Sequence, residues 1–361
     1  MNMYPPLKFI EQMENYIQLY NARSQQKLIN NISMKYADDF ISKNRSKIYH
    51  DFGELRKFSG SEESKEVIDF YEKASDIYCK RIGVYNGLES INDFVDLMIF
   101  YDARRLWRRN KLSYLIDNAL FETLMTMKAP KLSPVDCLTK LPANCFYIDY
   151  NGMGSELMED LDGSFVLTDK ADKELNIILL HLIRGRNGRE LYNTTVYRLP
   201  LGDTDSFEFS TDSDIKSTYV CEDGIERTMY DGLLFKFICN FLIYFHAANR
   251  DVEISERTRQ NHEKVQKTIK NKFREVKEFE VGFSYGRSIS KDAKRIRYIG
   301  KTEEKGVVHS PKSSHYRSAH WHHYWIGSGE DKKLIIKWVE GVFVNGGKEE
   351  EADNVQVHKV K

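Results

Sequence analysis

Two apolar stretches on either side of an Asn-Gly pair decide the fold. Leu175-Asn-Ile-Ile-Leu-Leu-His-Leu-Ile183 comes before Arg184-Gly-Arg-Asn-Gly-Arg189, and Leu191-Tyr-Asn-Thr-Thr-Val-Tyr-Arg-Leu199 comes after it. β-Branched and aromatic residues favour strands. Asn187-Gly188 suits a tight type I′ turn, because both central residues of that turn need a positive φ. The sequence therefore predicts an antiparallel hairpin in the middle of the chain.

Further strands are predicted on both sides of this hairpin. Asn144–Tyr150 and Ser164–Thr168 are short and rich in aromatic and β-branched residues, which is typical of strands. Ser318–Ile326 and Leu334–Val344 flank the turn-forming segment Gly327–Asp331. We therefore expect a mainly antiparallel sheet and a C-terminal β-hairpin.

Helices are predicted before and after the sheet. The first 130 residues are rich in helix formers and repeat apolar residues at helical spacing. The longest apolar stretch, Leu233–Ala248, is too short to span a bilayer and predicts a buried helix. The predicted helices are Leu7–Leu28, Glu62–Ile82, Phe94–Leu106, Leu112–Met127, Gly232–Asn249 and the charged Ser255–Glu280.

These elements predict an α+β fold. We expect a helical N-terminal region over residues 1–130 and an α+β domain over 131–347. In that domain a mainly antiparallel sheet packs against helices and ends in the C-terminal hairpin. Residues 348–361 are polar and are expected to form a frayed tail.

Composition excludes several classes of protein. Lys plus Arg and Asp plus Glu both number 54, so the net charge is zero and a histone-like protein is excluded. The five cysteines are scattered without a C-x-x-C pair, which argues against a disulfide framework or a cysteine zinc site and favours a reducing cytoplasm. No secretory signal, phosphate-binding loop or nucleophile elbow is present. The sequence indicates no cofactor and no membrane partner, and it does not establish an enzyme.

Charge is segregated along the chain. Glu156–Asp231 has 17 acidic and 8 basic residues, and Ser255–Lys301 has 14 basic and 6 acidic residues. Both segments are interpreted as solvated faces, or else as an acidic surface for a basic peptide and a basic surface for phosphates.

The segment His315-Tyr-Arg-Ser-Ala-His-Trp-His-His-Tyr-Trp325 is the main candidate site. Five of the ten histidines lie within 15 residues, and three of the four tryptophans lie in or near the segment. His320 and His322 share one face of a strand and could bind a metal given a third ligand. A histidine could instead act as a general acid–base with Arg317 on a phosphate. The cluster could also bind a partner, or its members could be core residues.

A second cluster is basic. Arg104, Arg105, Arg108 and Arg109 form a stripe on a predicted helix. This stripe is either a solvated helix end or a contact for an anion or RNA, in which Trp107 could stack on a base.

The C-terminal segment resembles a known family. Ser314–Gly329, followed by Ile336-Lys-Trp338 and Val342-Phe-Val-Asn-Gly346, is similar to the C-terminal signature of the type V-A anti-CRISPR proteins that are second in their series (AcrVA-two). These proteins come from phages and mobile elements. Leu141–Asp149, Leu234–Glu253 and Phe283–Tyr298 resemble other stretches of that family in the same order. The resemblance is specific over the last third of the chain.

The resemblance implies a function in the cytoplasm of the bacterial host cell. Members of this family recognise the N-terminal polypeptide of the type V-A CRISPR effector nuclease as it leaves the ribosome, and the nuclease mRNA is then lost. The implied partner is that polypeptide, together with the ribosome or the mRNA. Alternatives are a metal- or histidine-dependent ribonuclease and a nucleic-acid-binding phage regulator.

We therefore predict two sets of site residues. The first would bind the peptide, with the aromatic side chains gripping apolar groups. The second would contact nucleic acid. The peptide set is Arg317, His320, Trp321, His322, Tyr324 and Trp325, with Tyr147 and Asp149 beside them, and the nucleic-acid set is Arg104, Arg105, Arg108 and Arg109.

Overall fold

A computed structural model describes most of the chain from residue 91 onward. The described residues are 5–12, 43, 91–128, 133–134, 136–170, 174–185, 190–200, 206–207, 217–220, 225–247, 249–256, 258, 276–299, 315–328 and 333–344. The helices are Ile91–Asn110 (α1), Asn118–Thr126 (α2), Asp136–Thr139 (α3), Asp231–Tyr244 (α4) and Phe283–Ile299 (α5), and residues 5–12 are also helical.

Strands outnumber helices in this part of the chain. They are Leu112–Ile116 (β1), Ser133–Pro134 (β2), Cys145–Asp149 (β3), Leu161–Lys170 (β4), Glu174–Arg184 (β5), Glu190–Pro200 (β6), Ser206–Phe207 (β7), Ser217–Val220 (β8), Glu226–Met229 (β9), Val252–Ile254 (β10), Lys277–Val281 (β11), His315–Arg317 (β12), His320–Ile326 (β13), Lys333–Val339 (β14) and Val342–Val344 (β15). The predicted α+β class is confirmed.

The main sheet has seven strands in the order β10-β11-β1-β3-β4-β5-β6. β1 runs parallel to both of its neighbours, and the other pairs are antiparallel. β5 and β6 pair without interruption from Glu174–Pro200 to Arg184–Glu190, which confirms the predicted central hairpin. The turn residues 186–189 lie outside the described part of the chain.

Both faces of the sheet are covered. On one face Cys145 Sγ lies 3.8 Å from the Ala103 carbonyl oxygen of α1, and the Phe165 ring meets Trp107 edge-on at 5.8 Å. On the opposite face Phe146 packs 6.1 Å from Phe245 at the end of α4. A sheet buried on two sides needs apolar residues at successive positions, and this explains why its central strands are continuous apolar runs.

Helix α4 is the core of the second face. The buried helix predicted over Gly232–Asn249 is confirmed, although it ends at Tyr244. Its Phe237 ring lies 4.7 Å from Phe121 of α2, and the Phe245 ring lies 4.7 Å from Tyr114 of β1. No helix in the described part of the chain has the length and apolar character to cross a membrane.

The predicted helix over Leu112–Met127 is wrong in its first third. Lys111 has a φ of 50° and ends α1, and Leu112–Ile116 is a central strand of the sheet. Asp117 then starts α2, because its Oδ1 accepts a hydrogen bond of 2.9 Å from the Ala119 amide. The strand forms because β11 and β3, which are distant in sequence, offer it partners on both edges.

The region around residue 280 also differs from the prediction. Lys277–Val281 is a strand and not the end of a charged helix, and Phe283–Ile299 is a helix that was not predicted. Gly282 separates them with a φ of 79°. The predicted helices Leu7–Leu28 and Glu62–Ile82, most of Ser255–Glu280 and the tail 348–361 fall largely or wholly outside the described residues. The domain boundary at residue 130 stays a prediction. Two elements from before that residue are part of the main sheet or pack on it, since β1 is one of its strands and α1 covers one of its faces.

Candidate functional site

The C-terminal segment forms one long antiparallel ribbon, as predicted. Arg317 pairs with Val342 in β12–β15, and His320 with Val339 in β13–β14, so both pairs keep the same register. Alternate side chains of a strand point to opposite faces. Trp321 and Trp325 therefore lie on one face of β13, and His320, His322 and Tyr324 lie on the other.

The base of this ribbon is fixed to the core through Trp321. The side chain is 9% exposed, and its Nε1 donates a 3.0 Å hydrogen bond to Asn240 Oδ1 of α4. Its ring meets the cross-strand Trp338 edge-on at 5.2 Å. Trp338 in turn packs 5.4 Å from Tyr244 and 6.0 Å from Tyr285. Trp321 is therefore a core residue, and it is not exposed for the apolar grip expected of it.

Asn240 connects three elements. Its Nδ2 donates to the Leu124 and Met127 carbonyl oxygens at 2.9 and 3.4 Å, where α2 ends. These carbonyls lie at a helix terminus and need a donor. Its Oδ1 accepts from Trp321, so one buried amide joins α2, α4 and the ribbon. One signal of this role is visible in the sequence, because Asn240 is a polar residue within an apolar stretch.

The outer part of the ribbon is exposed and apolar. Trp325 is 63% exposed, Ile326 49%, Tyr324 40% and Ile335, which pairs with Tyr324, 38%. The His322 ring lies 4.4 Å from the Tyr324 ring with their planes 33° apart. This set, from His322 to Ile326 with Ile335, is named the ribbon face, although Trp325 points to the opposite side of β13 from Tyr324 and Ile335. Large apolar side chains exposed together are typical of interaction sites.

Arg317 and His320, which are also predicted members of the peptide site, lie at the margin of the ribbon face. Arg317 is exposed near the base of the ribbon, and His320 is half-buried. The Nδ1 of His320 lies 3.1 Å from the Ser318 carbonyl oxygen, so we assign the proton to that nitrogen, because a carbonyl oxygen can only accept.

Tyr147 and Asp149 do not lie beside the ribbon. Tyr147 is fully buried on β3, and its ring packs 5.1 Å from Phe165 on the α1 side of the sheet. Asp149 is half-buried, and its Oδ1 accepts a 2.9 Å hydrogen bond from the Asn151 amide. The ribbon packs on the α4 side, so the sheet itself separates them from it.

The arginine stripe of α1 is divided between core and solvent. Arg104 and Arg105 are only 3% and 6% exposed, and Arg105 forms a 2.5 Å ion pair with the buried Asp102. Arg104 and Arg105 are therefore not accessible to a nucleic acid, because they lie on the buried part of α1. Arg109 is exposed and Arg108 is half-buried. Trp107 is also buried and donates to the Leu112 carbonyl oxygen at 2.8 Å, so it cannot stack on a base.

A buried polar chain lies within the main sheet. Tyr150 donates to Ser164 Oγ at 2.9 Å, Ser164 Oγ lies 2.8 Å from His181 Nδ1, and His181 Nε2 lies 3.2 Å from Thr195 Oγ1. Burial lowers the pKa of His181 to about 3. A serine and a histidine meet here, but both are fully buried, so the chain serves packing and not catalysis.

The geometry gives no support to a metal centre in the described residues. No group of three or more His, Cys, Asp or Glu side chains in those ranges could hold a metal ion. His320 and His322 share a face as expected, but one lies against the Ser318 carbonyl and the other stacks on Tyr324.

Comparison with known proteins identifies the family. A family model described as "AcrVA2-like: Anti-CRISPR type V subtype A2 family" matches residues 114–346. The chain belongs to the anti-CRISPR type V subtype A2 family. The match begins in β1 and ends just beyond β15, so the anti-CRISPR family region includes the main sheet, α4 and the ribbon, and it excludes the arginine stripe of α1.

Two other comparisons complete this picture. A solved structure described as "Crystal structure of AcrVA2" is similar with a TM-score of 0.40 and 15% sequence identity, over 86% of this chain and 97% of that chain. A search of curated proteins found no match. The assignment to the anti-CRISPR family rests on the family model.

Proposed function

We propose that this anti-CRISPR protein recognises the N-terminal polypeptide of the type V-A CRISPR effector nuclease during its synthesis. Binding then blocks production of the nuclease by triggering loss of its mRNA in the host cytoplasm. Membership of the anti-CRISPR type V subtype A2 family supports the biological target. The exposed ribbon face is the single structural observation that supports peptide binding.

The ribbon face has the properties that peptide recognition needs. Within the described residues β13 and β14 pair only with each other, so each has an edge at which an extended peptide could add a strand. Tyr324 and Trp325 offer large rigid side chains of the kind that dominate binding hot spots. Trp321 and Trp338 hold the base of the ribbon on α4, so little ordering entropy would be lost on binding.

Binding of a synthetic peptide tests the recognition step. The purified protein should bind the first few dozen residues of the nuclease at micromolar affinity or better, about −8 kcal/mol, and should not bind a scrambled peptide. Trp325→Ala and Tyr324→Ala should each weaken binding about thirtyfold, as expected for hot-spot residues. Ile254→Ala is the matched control, because Ile254 is apolar and 48% exposed and belongs to β10 of the main sheet and not to the ribbon.

A pair of reporter messages tests the second step. One message encodes the nuclease N-terminus, and the other has a compensated frameshift that keeps almost the same nucleotides and changes the peptide. In translating cells the protein should lower the level of the first message and leave the second unchanged. Equal loss of both messages, or cleavage of purified RNA without ribosomes, would instead support direct RNA recognition and overturn the proposal.

A further inference from the structure

A cavity of about 350 Å³ opens at the β10 edge of the main sheet. It lies where α4 ends, and Phe245 and His246, which follow Tyr244, contribute to its lining. Tyr114 of β1 and its register partner Phe279 of β11 also line the cavity, with Leu141 and Pro142 on one side. The volume is within the range of small-molecule sites, about 300–1,000 Å³.

The floor of the cavity is aromatic. The Tyr114 and Phe279 rings stack with their centroids 5.6 Å apart and their planes 30° apart. The Phe245 ring lies 4.7 Å from Tyr114 at an angle of 59°. Such a floor offers offset-stacked and edge contacts to a flat apolar group.

The rim of the cavity is cationic. Lys140 and Arg250 line it and both are exposed, and none of the described residues that line the cavity is acidic. Arg250 Nη1 donates to the Phe245 carbonyl oxygen, which holds the guanidinium at the mouth. Burial raises the pKa of Tyr114 to about 12, and the Arg250 charge opposes that rise, so the guanidinium acts on the phenol at the floor.

Asp251 follows Arg250 in the sequence, but its carboxylate is hydrogen-bonded elsewhere. Asp251 Oδ2 accepts hydrogen bonds from the Ser284 and Tyr285 amides at 2.6 and 3.1 Å. The carboxylate is thereby used at the N-terminus of α5, where it offsets the positive end of the helix dipole. The cavity therefore has the Lys140 and Arg250 cations at the rim of an apolar floor.

We propose that this cavity binds a small organic anion with a flat apolar body, the ring on the Tyr114 floor and the anionic group between Lys140 and Arg250. An aromatic carboxylate and a nucleoside monophosphate share this chemistry. The ribbon face does not line the cavity, so the proposal is independent of peptide recognition.

Titration of the full-length protein with four probes tests the proposal. Phenylpropionate and adenosine monophosphate carry both features, adenosine carries only the ring, and inorganic phosphate carries only the charge. Saturable binding of either anionic aromatic probe is expected, at least about tenfold tighter than that of adenosine or phosphate. Comparison of phenylpropionate with adenosine monophosphate then shows whether the cavity prefers an aromatic carboxylate or a nucleotide.

Three variants locate the binding. Lys140→Gln should weaken it about tenfold by removing one charge contact, and Leu141→Trp should abolish it by filling the cavity. Lys128→Gln is the control, because Lys128 is an exposed lysine that does not line the cavity. Thermal unfolding should confirm that each variant is folded. The proposal is overturned if neither anionic aromatic probe saturates, if adenosine or inorganic phosphate binds as tightly as the anionic aromatic probe that does, or if folded Lys140→Gln and Leu141→Trp proteins both keep wild-type affinity.

Discussion

Replacing the two tryptophans of β13 should separate the core of the ribbon from its binding face. Trp321 is 9% exposed and donates to Asn240, whereas Trp325 is 63% exposed. Truncating a buried tryptophan to alanine costs about 3–5 kcal/mol. Trp321→Ala should therefore lower the free energy of unfolding by about 4 kcal/mol, a large part of the 5–15 kcal/mol of a typical protein. Trp325→Ala should change it by less than about 1 kcal/mol.

Trp321→Phe isolates the hydrogen bond. It keeps most of the ring volume but leaves Asn240 Oδ1 without its Trp321 donor, and an unsatisfied buried acceptor costs about 1–3 kcal/mol. Asn240→Ala combined with Trp321→Phe completes a double-mutant cycle. Residues in direct contact show coupling energies of about 0.5–3 kcal/mol, so the two substitutions should not be additive.

Urea unfolding followed by circular dichroism measures these free energies. Peptide affinity should be compared in Trp321→Phe and Trp325→Ala, because both should stay folded. We expect Trp325→Ala to lose affinity and Trp321→Phe to keep most of it. The reasoning is refuted if Trp321→Ala costs no more stability than Trp325→Ala, or if the double-mutant cycle shows no coupling.

Three further substitutions test the interior. Arg105→Met should cost about 3–5 kcal/mol, because it removes the ion-pair partner of the buried Asp102 carboxylate, and the exposed Arg109→Met should cost less than about 1 kcal/mol; equal losses in urea unfolding would contradict this. His181 has a pKa of about 3 in the fold and 6.5 when unfolded, so stability should fall as the pH drops from 6.5 towards 3, by up to about 1.4 kcal/mol per pH unit. Unfolding at several pH values should show a shallower slope for His181→Gln, and an unchanged slope would exclude this titration. Gly163→Ala should cost about 1–3 kcal/mol, because its Cβ would overlap the buried Tyr147 hydroxyl; unaltered thermal stability would show that the sheet can adjust.

Much of the local structure could be predicted from the sequence. The central hairpin, the C-terminal ribbon and helix α4 follow from alternation, the Asn-Gly pair and an apolar run, which are signals within one element. The family signature was also visible in the C-terminal residues, and the family match over residues 114–346 agrees with it.

The parallel position of β1 could not be predicted in this way. Leu112–Ile116 pairs with β11, which lies more than 150 residues later in the chain, and with β3. A short apolar segment fits a helix or a strand equally well, so its partners decide its conformation. The segment's own residues carry no record of those distant partners.

The candidate site shows the same division. The sequence by itself determined that aromatic, histidine and arginine side chains concentrate on a terminal ribbon and on α1. Only the tertiary structure decided that Trp321 lies in the core while Trp325 reaches solvent, that Tyr147 lies across the sheet from the ribbon, and that Arg105 is buried. The physical reason is that periodicity fixes which residues share a face, whereas the burial of that face depends on which distant element packs against it.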